Sequence, residues 1–477
     1  MNLYIFAIGG SGARVLRSLT MLLASGIQAK SKIIPIIIDP DAANGDLNRA
    51  VIGLRQYEQI HNSLSYNDTL KSRFFSTVIT SLNNDGNYLL PLVGTAGINY
   101  DRYLGLGSMS QENQALVKML FSDKNLASTM DVGFKGNPNI GSIVLNQFTQ
   151  SPDFKNFESN FVTGDKVFII SSIFGGTGAS GFPLILKTLR TSNNAALSSA
   201  QIGAVSLLPY FNLKTDSDSS IQADSFITKT KAALHYYEKN VTGNGTLNDM
   251  YYLGDDFSSQ GYDNCDGGDN QSNDAHVIEL LGALAILDFD SKPATDTPTT
   301  TSFHEFGLNS TPEGSILFSD FGPQTNSIIK KPLSMMAIMN SYLNNRDVNH
   351  RAQQKWAKDR NSALGTTFYN STFFSDYSKF KDMFERWIDE LERNVISFAP
   401  LSNDTDIKNS DGLEKVKNTK PTYPGINPFR KKGYDLIDEL LDKNLSSIPK
   451  NTDTPSTFME LFHKTLSEIC TKNLNIQ

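Results

Sequence analysis

Five short apolar runs punctuate the first half of the chain: Leu3–Ile8, Ile33–Ile38, Val167–Ile173, Ile202–Leu208 and Met250–Leu253. They are mostly aliphatic and show little polar alternation, as strands covered on both faces of a parallel sheet do. Helical spacing fills the intervals. Ala13–Ala24 puts Val15, Leu16, Leu19, Leu22 and Leu23 on one face, and Ala223–Asn240 does so with Phe226, Thr230, Ala233, Leu234 and Tyr237. Ala275–Leu287 is apolar almost throughout, the mark of a helix buried on all sides. Strands alternating with helices predict an α/β fold with a parallel sheet over residues 1–290.

Past residue 290 the pattern loosens. Residues 288–313 are rich in Thr, Pro, Ser and Asp and read as a loop or insertion, and residues 291–326 are taken as a connecting segment. In residues 327–477 the stretches Met335–Tyr342, Phe380–Ile396, Tyr434–Leu445 and Phe458–Leu474 read as amphipathic helices. They predict a mostly helical C-terminal domain, interrupted by a Lys/Asn/Pro-rich linker, Asn403–Pro428.

Two glycine clusters stand at strand ends. Gly9-Gly10-Ser11-Gly12 follows the first apolar run. Gly175-Gly176-Thr177-Gly178-Ala179-Ser180-Gly181 follows the third and precedes a helix at Pro183–Leu189. In the order strand, glycine loop, helix start, backbone N–H groups meet phosphate, aided by the helix dipole. Thr177 and Ser180 add hydroxyl donors. Gly176 and Gly181 have P-loop spacing, but Phe182-Pro183 stand where Lys and Ser/Thr are needed. Gly10-x-Gly12 begins a dinucleotide fingerprint, but Val15 replaces its third glycine. Asp39-Pro40-Asp41-Ala42 closes the second run, where an acid suits a ribose hydroxyl.

Taken together, these motifs resemble the tubulin/FtsZ superfamily. Gly175–Gly181 is similar to its signature loop, usually G-G-G-T-G-[ST]-G, with Ala179 as the departure. Asp39–Ala42 resembles the N-T-D-A segment of FtsZ. Gly133–Gly141 resembles the G-x-x-x-N-P-x-[IV]-G segment that covers the γ-phosphate, and Pro209-Tyr210-Phe211 resembles a strand ending in Pro-Phe. The order of these matches along the chain gives the likeness its weight. It implies a tubulin/FtsZ-like nucleotide-binding domain whose phosphate site uses Gly9, Gly10, Ser11, Gly12, Asp39, Asp41, Gly136, Asn137, Gly175, Gly176, Thr177, Gly178, Ser180 and Gly181. The family reads guanine with an Asn near the strand end where this chain has Gly254-Asp255-Asp256, and stacks the base on the start of its central helix. Asp255, Asn273 and His276 are the corresponding base contacts. The implied cofactors are GTP/GDP and Mg²⁺. The family's catalytic acid acts on the neighbouring subunit's nucleotide; it corresponds to Asp320, with Asp288 and Asp290 as rivals.

The resemblance thus implies a GTPase that assembles head-to-tail into filaments. The helical C-terminal part departs from the family's second domain. It favours an alternative: a non-polymerising nucleotide switch that binds a protein partner through those helices. A Rossmann-type oxidoreductase is disfavoured by Val15 and by the second glycine cluster.

Composition narrows the classes. The 477 residues carry 43 Lys+Arg against 50 Asp+Glu, a net charge of −7, which argues against a nucleic-acid binder. Cys265 and Cys470 are the only cysteines, too few for a disulfide framework or a Cys-rich zinc site, and they suit a cytoplasmic protein. No dedicated metal-ligand set is visible. No apolar run approaches the roughly 20 residues that cross a bilayer, so no membrane insertion is expected.

Overall fold

A computed structural model of the chain describes residues 1–41, 43–66, 70–95, 97–130, 134, 137–210, 212–213, 224–255, 261–262, 273–293, 300–305, 314–360, 362–402, 412–423 and 431–477. Six strands form one parallel sheet: β1 (Asn2–Ile8), β2 (Lys32–Ile38), β3 (Lys166–Ser172), β4 (Gln201–Leu207), β5 (Asp249–Leu253) and β6 (Ser302–Glu305). Their order is β2-β1-β3-β4-β5-β6. The α/β class and the parallel sheet are those the apolar runs predict. β6, however, comes from the segment expected only to connect. Ser302-Phe303-His304-Glu305 is too short and too polar to show a strand period. It is recruited by register pairing with β5, from Asp249↔Ser302 to Tyr252↔Glu305.

Pro35 in the middle of β2 shows how the sheet accommodates a residue without an N–H. The N–H groups of Ile33 and Ile37 point away from β1, to the carbonyls of Val78 and Tyr88. Pro35 shares their side of the strand, so the donor it lacks would have faced the sheet edge and not β1.

The helices used below are α1 (Gly9–Ala24), α2 (Gly45–Asn62), α3 (Pro138–Leu145), α4 (Gly176–Arg190), α5 (Asp224–Tyr237), α6 (Val277–Ser291), α7 (Pro323–Asn345), α8 (Thr372–Arg393), α9 (Gly433–Leu445) and α10 (Thr454–Lys472). α6 is the buried helix. Gly282 lets it approach α1, since a Cβ there would lie 3.1 Å from Val15 Cγ2. The close helix packing that Val15 would obstruct is recovered by a glycine on the opposite helix. At its far end α6 is capped by lysines: Lys166 Nζ donates to the carbonyls of Lys292 (2.6 Å) and Asp290 (3.3 Å).

The four amphipathic C-terminal stretches fall on α7, α8, α9 and α10, though Phe380–Ile396 and Phe458–Leu474 run past the ends of α8 at Arg393 and α10 at Lys472. These helices close over the first half of the chain. On α8 the ring of Phe380 lies 5.0 Å from that of Phe75, and Trp387 Nε1 donates to Ser18 Oγ on α1. On α10 Glu460 accepts from the N–H of Lys71 at 2.7 Å and also from that of Ser72.

Candidate functional site

The strand order reverses between β1 and β3. β2 lies on one side of β1, and every later strand is added on the other. In open parallel sheets the crevice at the carboxyl ends of such strands receives ligands. Both glycine clusters emerge there, and both are helix starts. α1 begins at Gly9 directly after β1, and α4 begins at Gly176, well ahead of the expected Pro183. The expectation of a glycine loop followed by a helix at Pro183 is corrected accordingly. Pro183 sits about two turns into α4, where its missing N–H would have bonded the Ala179 carbonyl. The hydroxyl of Tyr237, at the end of α5, approaches that carbonyl at 3.5 Å.

The two helix starts touch. Gly9 turns the chain out of β1 with φ of 72°, and a Cβ there would lie 3.4 Å from Thr177 Cβ and 3.9 Å from Gly178 N. Neither N-cap residue, Ile8 or Gly175, supplies a side-chain cap, and the first-turn N–H groups of a helix have no intrahelical partner. Two dipole-positive ends converging on one crevice favour an anion.

The glycines divide by what they face. Among the described residues a Cβ at Gly10 would meet only Asn44 Nδ2, at 3.7 Å, so this position borders open space there. A Cβ at Gly12 would meet the Ala7 backbone at 2.8 Å, one at Gly178 the Ser172 backbone at 2.6 Å, and one at Gly181 the Ile8 side chain at 2.8 Å. These three bring helices against strands. Ser180 belongs with them: its hydroxyl donates back to the Gly176 carbonyl at 2.7 Å and is buried, so the expected phosphate donor is spent inside α4. Asn137 opens α3, and α3 packs on the start of α4. A Cβ at Gly141 would strike Ser180 Oγ, the Phe134 ring (2.9 Å) and the Gly176 carbonyl (3.0 Å). Gly136 lies outside the described residues.

Asp39 and Asp41 close β2. Ile8 and Ile38 are register partners, so Asp39 follows at the level of Gly9. Its carboxyl accepts from the Asp41 N–H at 3.0 Å, and burial raises its pKa to about 7. Asp255 lies half-buried just past the carboxyl end of β5, at the same end of the sheet.

The proposed base contacts are held by internal partners. Asn273 Nδ2 donates to Asp46 Oδ2 at 3.1 Å. His276 is 1% exposed and caps α6, with Nδ1 accepting from Ile278 N–H, while Glu279 accepts from the His276 N–H. Burial, with Arg14 nearby, lowers its pKa to about 3, so it is neutral. Nδ1 is the acceptor, which leaves the proton on Nε2, a buried atom without a hydrogen-bond partner among the described residues.

Sequence reading missed the ion network beneath this rim, because charged helix residues are ordinarily taken as surface. Arg14 Nε donates to Glu279 Oε1 at 2.5 Å and its Nη1 to Asp46 Oδ2 at 3.2 Å, and the Tyr210 hydroxyl donates to Glu279 at 3.1 Å. Burial pushes the Glu279 carboxyl up while Arg14 pulls it down. Asn44 was missed too. Its Oδ1 caps α2 through the Asp46 and Leu47 N–H groups.

The acids proposed for hydrolysis separate clearly. Asp290 is buried and accepts from the N–H of Lys30 (2.5 Å) and Ser31 (3.1 Å), a structural role. Asp288 is half-exposed beside Tyr251 OH (2.5 Å) and Lys292 (3.4 Å), near the amino end of β5 and so at the pole remote from the glycine clusters. Asp320 caps its own turn through Leu317 N–H at 2.7 Å. That turn is tied to the end of α8: Ile316 N–H donates to Ser397 O, and Phe398 N–H donates to Leu391 O.

Among the described residues no group of three or more His, Cys, Asp or Glu is placed to hold a metal, and no helix is long and apolar enough to cross a membrane. No family model matches the chain, and no curated protein matches it. Among solved structures, CetZ from Methanosaeta thermophila strain DSM 6194 is similar at 15% identity and TM-score 0.26, over 53% of this chain and 46% of that one. CetZ2 from Haloferax volcanii, solved as a GTPγS-bound protofilament, is similar at 12% identity and TM-score 0.29, over 61% and 59%. Both neighbours are tubulin/FtsZ superfamily proteins, and the chain spans about half of their length.

Proposed function

We propose that the crevice between β1 and β3 binds the phosphates of GTP, and that the chain is a GTPase that assembles head-to-tail. The observation that carries the phosphate reading is the contact, at the strand-order reversal, of two helix starts whose N-cap residues supply no side-chain cap, with glycine where Gly9 meets Thr177. The choice of guanine rests on the motif resemblance. Mg²⁺ usually binds through one or two carboxylates plus substrate phosphates, and Asp39 and Asp41 are two acids at this rim. When bound it would neutralise phosphate charge.

Hydrolysis and assembly go together in this reading. The crevice offers donors to phosphate, and an acid from a second copy would complete it. Asp288 stands at the remote pole that a head-to-tail neighbour presents, and Asp320 stands by the end of α8. Asp288 is therefore the stronger candidate, in place of Asp320. A head-to-tail contact is heterologous and need not close. Isothermal titration with GTP and ATP, with and without Mg²⁺, tests the binding. Absence of binding, or tighter ATP binding, overturns the respective half of the proposal.

The non-polymerising switch remains the second reading. It is favoured by the way α8 and α10 fold back on the first half of the chain. Sedimentation with GTP separates the two: a chain that binds GTP and stays monomeric supports the switch.

A further inference from the structure

Ala275 is gripped from both sides by the end of one helix. Its N–H donates to Glu390 Oε2 at 3.1 Å, and its carbonyl accepts from Asn394 Nδ2 at 3.0 Å. The neighbouring Asp274 takes two bonds from Arg393, at 2.7 and 2.8 Å. Glu390 and Arg393 are on the last turn of α8, and Asn394 follows it. Glu390 is fully buried, and its carboxylate reaches further. It accepts from Arg17 of α1 at 2.5 and 3.2 Å and from Arg49 of α2 at 3.0 Å. Arg49 in turn donates to the Asn273 carbonyl at 2.6 Å.

One carboxylate of the C-terminal helices therefore joins three things: the helix that leaves the β1 glycine cluster, the helix that leaves β2, and the segment that opens α6. Two guanidinium groups and an N–H satisfy it, which is what a buried charge requires. Segment 273–276 belongs to the crevice rim. Asn273 reaches Asp46, whose N–H is capped by Asn44, and Asn44 borders Gly10. Fixing backbone residues in advance saves ordering entropy when a ligand arrives.

We propose that Glu390 is a positioning residue for nucleoside recognition: it fixes the rim at 273–276 that meets the ligand beyond its phosphates. The C-terminal helices thereby take part in the site without touching the phosphates. This inference rests on the phosphate site proposed above.

The test titrates full-length protein with GTP and, separately, with inorganic tripolyphosphate. Glu390→Gln keeps the shape and removes the charge. GTP binding is expected to weaken about tenfold, equivalent to about 1.4 kcal/mol, with tripolyphosphate bound no more weakly than by the parent. Unchanged GTP affinity, or equal loss for both ligands, overturns the inference. Should Glu390→Gln fail to fold, Arg393→Ala serves, because that side chain is more than half exposed. It should weaken GTP selectively by a smaller factor, and equal effects on both ligands again overturn the idea. A parent protein that binds neither ligand overturns the phosphate reading itself, and this inference with it.

Discussion

Gly9 and Thr177 meet across the strand-order reversal, with 3.4 Å between Thr177 Cβ and the position a Gly9 Cβ would take. This contact brings the first turns of α1 and α4 to one crevice. Gly10, next along, borders open space and has no positive φ, so it separates folding from ligand approach. Gly10→Ala is expected to keep its stability within about 0.5 kcal/mol while losing GTP affinity, since the methyl occupies the anion's side of the turn. A thermal melt and a titration check it. Parent-like binding would mean that this N-terminal turn does not hold phosphate.

Gly141→Ala should act by packing. The new methyl would strike the Phe134 ring and the Gly176 carbonyl at 2.9 and 3.0 Å, pushing α3 off the start of α4. Overpacking of this kind costs about 1–3 kcal/mol. Urea unfolding measures it, and an unchanged midpoint would refute the close approach of α3 to α4.

Asp39 predicts a pH dependence. Burial holds its carboxyl at about 7, above the ordinary carboxylate value of about 4. Between those values the folded protein keeps a proton that the unfolded chain has released. The Asp39 contribution to stability is therefore present at low pH and is lost as pH rises to about 7. Asp39→Asn should remove that part of the slope. Without Mg²⁺, GTP binding should weaken as the Asp39 charge develops beside the phosphates, and the Asn variant should show less of this weakening. Titrations across neutral pH decide it, and identical profiles would remove Asp39 from the site.

The Arg14–Glu279 pair should be costly to break and cheap to replace. Glu279→Ala leaves a buried guanidinium without its main partner, a loss of about 3–5 kcal/mol. Replacing both, as Arg14→Met with Glu279→Leu, should cost less than Glu279→Ala alone. Chemical denaturation of the three proteins tests the ordering.

Turnover should rise with protein concentration if a second copy completes the site. Asp288→Ala should then bind GTP and hydrolyse little, while Asp320→Ala stays active, since Asp320 caps a turn beside α8. Concentration-independent turnover with an active Asp288→Ala would place the whole site within one chain.

The sequence alone determined the α/β class, five of the six strands, the two strand-to-glycine junctions and the four main C-terminal helices. Each is a local pattern: an apolar run has one period, and a glycine cluster after a strand has few uses. Tertiary structure decided which glycines border open space and which face a strand. Gly10 and Gly178 read alike in sequence, but one borders open space and the other rests on the Ser172 backbone. It also decided that Ser302–Glu305 is a strand, because a short polar segment becomes one only by pairing with β5. The same holds for Glu390, an ordinary acid on an amphipathic helix until packing sets it between Arg17, Arg49 and Ala275, 373, 341 and 115 positions away in the chain. Burial and long-range partners belong to no local stretch of sequence, and here they set the roles of both acids and glycines.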